Sequence, residues 1–142
     1  MTDTLTNSQA AAMPQPEVKG GVIAYLQLEG ALKAAELYAR AFGAVTVAAQ
    51  PPDDQGRTMH VHLHLNDGSL MLSDPFPEAG CGPEALGGFS LMLPVGDADA
   101  WHDRAVAAGC VSVLAPQDMF WGDRYAQVRD PFGVLWAFNQ AR

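Results

Sequence analysis

Basic residues are scarce in this sequence. The 142-residue chain has 8 Lys and Arg against 16 Asp and Glu, for a formal net charge of −8, and no cluster of basic residues. Nucleic acids and anionic membrane surfaces select basic patches, so the composition argues against both as partners. No run approaches the roughly 20 apolar residues of a membrane-spanning helix. The first 20 residues lack the basic start and apolar run of a secretory signal, which predicts a cytoplasmic protein.

Cysteine is also scarce, with Cys81 and Cys110 lying 29 residues apart and no CxxC pair. This spacing predicts reduced, unpaired thiols rather than a disulfide framework or a cysteine-based metal site. Cys110 precedes an apolar run and is predicted to be buried, whereas Cys81, between two glycines, is predicted to be exposed. The sequence contains no GxSxG, GxGxxG, HExxH or phosphate-loop motif, so it offers no established catalytic signature.

The order of predicted elements repeats along the chain. Residues 1–18 are small and polar and predict a disordered arm, which leaves 19–142 as a single domain. Residues 20–74 read as strand, helix and three strands, and 88–140 repeat that order after a Pro- and Gly-rich connector at 75–87. Gly43 and Gly109, the two predicted helix ends, lie 66 residues apart. We therefore expect an α+β fold of two paired βαβββ modules, whose sheets close around a cleft with the helices outside.

Three histidines alternate with apolar residues in "MHVHLHLNDG". His60, His62 and His64 should share one face of a strand, and its hairpin partner should add Ser69, Met71 and Ser73 to that face. Successive side chains there are about 7 Å apart, so two neighbours could chelate one ion, but a site needs a third protein ligand. We expect histidines that line the cleft without a metal. His102, on the second predicted helix, is expected to be a surface residue.

Alternation also predicts which other side chains face the cleft. The resulting lining is apolar with a few polar points, which suits a small organic ligand, although a filled core without a ligand is the alternative. In "FWGDRYAQVRD", Trp121 and Arg124 could bind a planar anion by stacking and ion pairing. Alternatively, the loop is structural and Asp123 pairs locally with an arginine. The predicted ligand-binding residues are Tyr25, Gln27, His60, His62, Met71, Ser90, Trp121 and Arg124.

Three segments, "AAELYARAFGA", "MHVHLHLNDGSLMLSD" and "DMFWGDRYAQVRDPFGVLWAF", resemble the vicinal oxygen chelate superfamily, which includes glyoxalase I and the bleomycin- and fosfomycin-resistance proteins. The resemblance covers about residues 20–140 and is closest to the PhnB-like branch. It implies a ligand in the cleft of the paired modules. In metal-dependent members, four ligands occupy positions that correspond here to Ile23, Met71, Ser90 and Ala137. None of these is His, Glu or Asp, which predicts neither a metal nor another cofactor.

Two functions remain open at this point. The first is a protein that binds a small molecule in the cleft without a metal, and the second is a divalent-metal lyase, isomerase or dioxygenase with an atypical histidine site. The sequence does not decide whether a reaction is catalysed. A homodimer is expected, because modules of this superfamily pair edge to edge within or between chains and exposed edge strands need covering.

Overall fold

The computed structural model describes residues 16–79 and 87–142. The expectations of a disordered arm and an exposed Cys81 therefore fall largely or wholly outside the described residues, as does much of the connector. The described elements are, in chain order, β1 (Ala24–Gln27), α1 (Ala31–Phe42), β2 (Val45–Ala49), β3 (Val61–Leu65), β4 (Gly68–Ser73), a 3-10 turn (Pro77–Ala79), β5 (Leu91–Pro94), α2 (Ala98–Ala108), β6 (Val111–Asp118), β7 (Arg124–Arg129) and β8 (Leu135–Gln140).

Local sequence signals explain where these elements begin and end. Asn66 and Asp67 both adopt positive φ, 50° and 63°, as a two-residue hairpin between β3 and β4 requires. Gly43 ends α1 at φ 73°, a conformation that costs other residues energy. Asp97 caps α2 by accepting a hydrogen bond from the Ala100 amide. Within the described residues, neither helix is long and apolar enough to cross a membrane.

The two modules repeat the same topology, as predicted. Each forms a four-stranded mixed sheet, in the order β1-β4-β3-β2 and β5-β8-β7-β6. The first pair in each sheet is parallel and the others are antiparallel. The repeat extends to the helix N-termini: an Asp74 carboxylate oxygen accepts from the Ala31 amide, and the Gln140 amide oxygen accepts from the Ala98 amide. The predicted α+β fold of paired modules is confirmed.

The helices lie between the two sheets, which differs from the expected arrangement. One buried core contains residues of the first sheet, both helices and the second sheet. On α1, Tyr38 and Phe42 pack against Trp136 of β8, with ring centroids 5.1 and 4.3 Å apart. The Tyr38 hydroxyl also donates to the buried Asp130 carboxylate at 2.6 Å. The outer faces of the sheets consequently point away from this core, and one chain does not close both of them around one cleft.

Candidate functional site

The outer face of the first sheet gathers most of the predicted site residues. His62 lies beside Met71, which lies beside Tyr25, in one row across β3, β4 and β1. His64 pairs with Ser69 in the adjacent row. The apolar alternates of these strands are buried in the core, which leaves the polar side chains on the opposite face. We call this surface the histidine face; it comprises Tyr25, Gln27, His60, His62, His64, Ser69, Met71 and Ser73.

Each histidine of this face has a defined polar neighbour. The Tyr25 hydroxyl lies 2.8 Å from His60 Nδ1. Nε2 of His64 lies 2.6 Å from the Glu17 carbonyl oxygen, which can only accept, so this nitrogen donates. Nε2 of His62 lies 2.8 Å from the Ser69 hydroxyl, which itself accepts from the Lys19 amide. That leaves the Ser69 hydrogen free to donate to His62, an arrangement suited to a neutral ring.

The surroundings of His62 favour its uncharged ring at neutral pH. The ring centroids of His60 and His62 are 6.5 Å apart, and those of His62 and His64 are 5.1 Å apart. His62 is only 3% exposed. Burial lowers the pKa of His62, and the neighbouring histidines lower it further. Partial burial raises the pKa of Tyr25, so its phenol keeps its proton and remains a donor.

The outer face of the second sheet is more apolar. Tyr125, Gln127 and Arg129 alternate on β7 with the buried Ala126 and Val128 and therefore face outward. Other members of this face are Val111, Leu114, Gln117, Leu135, Ala137, Asn139 and Met92. Met92 is 53% exposed, close to the 50% of Tyr25 on the histidine face. Each sheet thus presents large side chains that the chain itself leaves partly uncovered.

Ser90 does not join the histidine face within one chain. It is exposed, immediately before β5, and lines a groove of about 300 Å³ between the edges of the two sheets. The other walls of that groove come from both modules, including Ala24, Ser69 and Trp136. Asn66 closes one end by donating to the Pro94 carbonyl. The structure therefore brings together Tyr25, Gln27, His60, His62 and Met71, while Ser90 belongs to the junction of the modules.

Trp121 and Arg124 also lie away from the histidine face. Trp121 is 45% exposed and packs edge-on against Tyr125 and Phe120. Arg124 points to the core side of β7, where its guanidinium pairs with Asp99 and Asp118. The hydrogen bonds from Arg124 hold the pKa of the Asp99 carboxyl below its usual range. This local pairing matches the structural alternative for the loop, except that the acids are Asp99 and Asp118 rather than Asp123, which accepts from Asn139.

The four positions that hold metal in metal-dependent relatives do not fit a metal here. Met71 and Ala137 lie on the outer faces of different sheets, and Ala137 offers no donor atom. Across residues 16–79 and 87–142, no group of three or more His, Cys, Asp or Glu side chains is arranged to hold an ion. We therefore derive no chemical step through a metal at these positions.

Sequence reasoning was wrong about His102 and did not single out Phe120, which lies beside the predicted site residue Trp121. His102 is buried, because α2 turns it toward the second sheet, where Nε2 lies 2.8 Å from the Ser112 hydroxyl. Phe120, next to Trp121, is 96% exposed. The consecutive aromatics "FW" in a turn next to "GD" were the only signal of this exposed pair.

Comparisons with known proteins agree with this architecture. Residues 28–138 match the model of the Glyoxalase/Bleomycin resistance protein/Dioxygenase superfamily. An uncharacterized protein from Mycobacterium bovis is 39% identical over 123 residues, covering 82% of this chain and 80% of the relative.

Among solved structures, TnmS3, an antibiotic binding protein from Streptomyces sp. CB03234, is 27% identical with a TM-score of 0.64, covering 92% of this chain and 99% of TnmS3. The PhnB protein from Bacillus cereus shares the fold, with a TM-score of 0.65 at 15% identity, over 86% of this chain and 100% of its own.

Proposed function

Because the chain belongs to the Glyoxalase/Bleomycin resistance protein/Dioxygenase superfamily, we propose that it binds a small organic molecule between two copies of itself, without a metal. The histidine face of one copy forms one wall of the cleft, and the outer face of the second sheet of the other copy forms the opposite wall. A homodimer with twofold symmetry has two such clefts.

The observation that carries this proposal is the position of the helices between the sheets. Since the core uses the inner face of both sheets, the outer faces carry the sheet surface that remains for a partner or a ligand, apart from the part of the histidine face that Glu17 and Lys19 contact. Tyr25, Met92 and Val111 leave apolar surface exposed on these faces. Polar points on the histidine face can fix the orientation of a bound molecule, while apolar side chains opposite provide burial. TnmS3, which is described as an antibiotic binding protein, supports ligand binding rather than a particular reaction.

A subunit-mixing experiment tests this arrangement. Met71→Trp fills the histidine face, and Met92→Trp fills the outer face of the second sheet. Each homodimer should lose saturable binding of the neutral fluorescent probe N-phenyl-1-naphthylamine. In a mixed dimer both obstructions fall in the same cleft, so the other cleft is open. Random mixing by joint refolding should therefore restore about a quarter of the wild-type capacity.

Two controls make the result decisive. Val106→Trp adds the same side chain to an exposed position of α2, away from both faces, and should bind the probe normally. Light scattering coupled to size exclusion should give twice the chain mass for the wild type and each variant. A monomer that binds the probe, or a mixture that recovers no capacity from two dimeric variants, contradicts a cleft shared between copies. Absence of saturable binding by the wild type contradicts the proposed function itself for this probe class.

A further inference from the structure

The first sheet contains no strongly charged side chain. Strands β1, β2, β3 and β4 have no Asp, Glu, Lys or Arg, in a chain whose net charge is −8. The ionisable groups of its outer face are Tyr25 and the three histidines. Because Tyr25 keeps its proton, this face can gain positive charge when histidines protonate, but it does not become negative near neutral pH.

Among the described residues, the surroundings of His60, His62 and His64, which we call the histidine row, offer little compensating negative charge. On β4 its neighbours are Ser69, Met71 and Ser73, and on β2 they are Val45 and Ala48. The segment before β1 contributes a carbonyl oxygen from Glu17, whereas the Lys19 ammonium lies 3.9 Å from the Asp67 carboxylate. A positive charge on the buried His62 ring, close to two other imidazoles, is therefore costly, unless something else brings a negative charge.

We infer that the molecule bound at this face is an organic anion with an apolar body, and that its binding draws a proton from solvent onto the histidine row. This inference rests on the proposed function and names the ligand class of the same cleft. The anionic group accepts hydrogen bonds from the partly exposed rings of His60 and His64, beside the buried His62, and the charge-assisted contact stabilises the imidazolium form. Met71 and Ala48, which flank His62, contact the apolar body.

The opposite wall is compatible with the same ligand. On the outer face of the second sheet, Arg129 is cationic and exposed, and its guanidinium donates to the Gly133 carbonyl. Asp123 is the carboxylate at the far end of that face, where it accepts from Asn139. Arg129 attracts the anionic ligand equally at every pH of the experiment. Any change of the ligand's affinity with pH is therefore assigned to the histidine row.

A matched pair of fluorescent probes separates anion selection from simple apolar binding. 8-Anilinonaphthalene-1-sulfonate and N-phenyl-1-naphthylamine have the same aromatic skeleton, but only the first carries a sulfonate. Between pH 8 and pH 5.5 the sulfonate probe should bind more tightly as the pH falls, while the neutral probe should not. If the anion raises one histidine pKa by one unit, the gain is about tenfold. Near-ultraviolet circular dichroism checks that the protein stays folded across this range.

Two histidines that each lie within hydrogen-bond distance of a serine hydroxyl provide a test variant and its matched control. His62 and His102 each place Nε2 2.8 Å from a serine hydroxyl, but only His62 belongs to the histidine face. His62→Gln should remove most of the pH dependence of sulfonate binding, and His102→Gln should retain it. Should His62→Gln not fold, the wild type alone suffices: calorimetry in buffers of different ionisation enthalpy should show net proton uptake with the sulfonate probe near pH 6.5.

The outcomes distinguish this inference from the function on which it rests. If both probes bind saturably with the same pH dependence, or sulfonate binding takes up no proton, the inference is wrong and the binding function stands. If neither probe binds the wild type, both fail. Proton uptake with the sulfonate probe that survives in His60→Gln, His62→Gln and His64→Gln alike contradicts the histidine row as the proton acceptor.

Discussion

Removing the Tyr38 hydroxyl tests how strongly the two modules are joined. This hydroxyl, on α1 of the first module, donates to the Asp130 carboxylate of the second module at 2.6 Å. Asp130 is buried and accepts three further hydrogen bonds, from the amides of Phe132 and Val134 and from the Trp136 indole. Burial and the Asp130 charge both raise the pKa of Tyr38, so the hydroxyl remains a donor at all ordinary pH values.

Tyr38→Phe deletes one charge-assisted hydrogen bond and leaves the aromatic packing in place. The ring keeps its contacts with Phe42, Phe132 and Trp136. A hydrogen bond to a charged group contributes about 1.5–3 kcal/mol, so we expect the free energy of unfolding to fall by that amount. The Asp130 carboxylate retains three hydrogen-bond donors in this variant. The loss should therefore stay below the larger penalty of a buried charge that has no partner.

Urea denaturation followed by circular dichroism measures the loss. Tyr125→Phe is the matched control, because the Tyr125 hydroxyl only accepts from Gln127 on a partly exposed face, and it should change stability by less than about 0.5 kcal/mol. In a double-mutant cycle, Tyr38→Phe should cost much less in an Asp130→Asn background than in the wild type. If Tyr38→Phe costs no more than the control, or costs the same in both backgrounds, the bond does not join the modules as argued.

Three further changes have defined outcomes. Asp74→Ala should lower the free energy of unfolding in urea by about 1–3 kcal/mol, since it leaves a buried amide of α1 unpaired; Asp97→Ala, at an exposed cap, should cost about 1 kcal/mol. Because the folded-state pKa of His62 is lowered, the unfolded chain binds more protons, and stability should fall as the pH drops below about 6.5. Unfolding curves of His62→Gln should show a smaller decline, and an equal decline contradicts this reasoning. Burial raises the pKa of Cys110 to about 11, so in a Cys81→Ser background a thiol reagent at pH 8 should react only after unfolding; a fast reaction in native buffer would contradict that burial.

Short-range patterns predicted much of the fold. Alternation placed His60, His62 and His64 on one face of β3, since successive side chains of a strand must point to opposite sides. Gly43 and Gly109 marked both helix ends because they can adopt the positive φ that ends a helix. The repeat order of elements then predicted the two sheets. Each of these signals lies within a few residues of the feature it determines.

The relation between modules could not be predicted in the same way. Both faces of a half-buried sheet can carry apolar residues, so alternation does not reveal which face meets the other module. Tyr38 and Asp130, whose contact joins the modules, are 92 residues apart and carry no local pattern that pairs them. The same lack of a long-range signal explains why Ser90 was grouped with Tyr25. His102 was misplaced within its own module, where it contacts Ser112.

Because the helices lie between the sheets, the strand residues fall into two sets, those that face the core and those that face outward, and the two sets can vary separately. Along β3, Leu63 holds the core together while His62 and His64 on either side of it face outward. Substitutions at the outward positions change the chemistry of the outer face, which is one wall of the proposed cleft, without opening a cavity in the core. Descendants of one such scaffold can therefore acquire new ligand preferences through single exchanges at alternate strand positions, while the buried residues continue to specify the same fold.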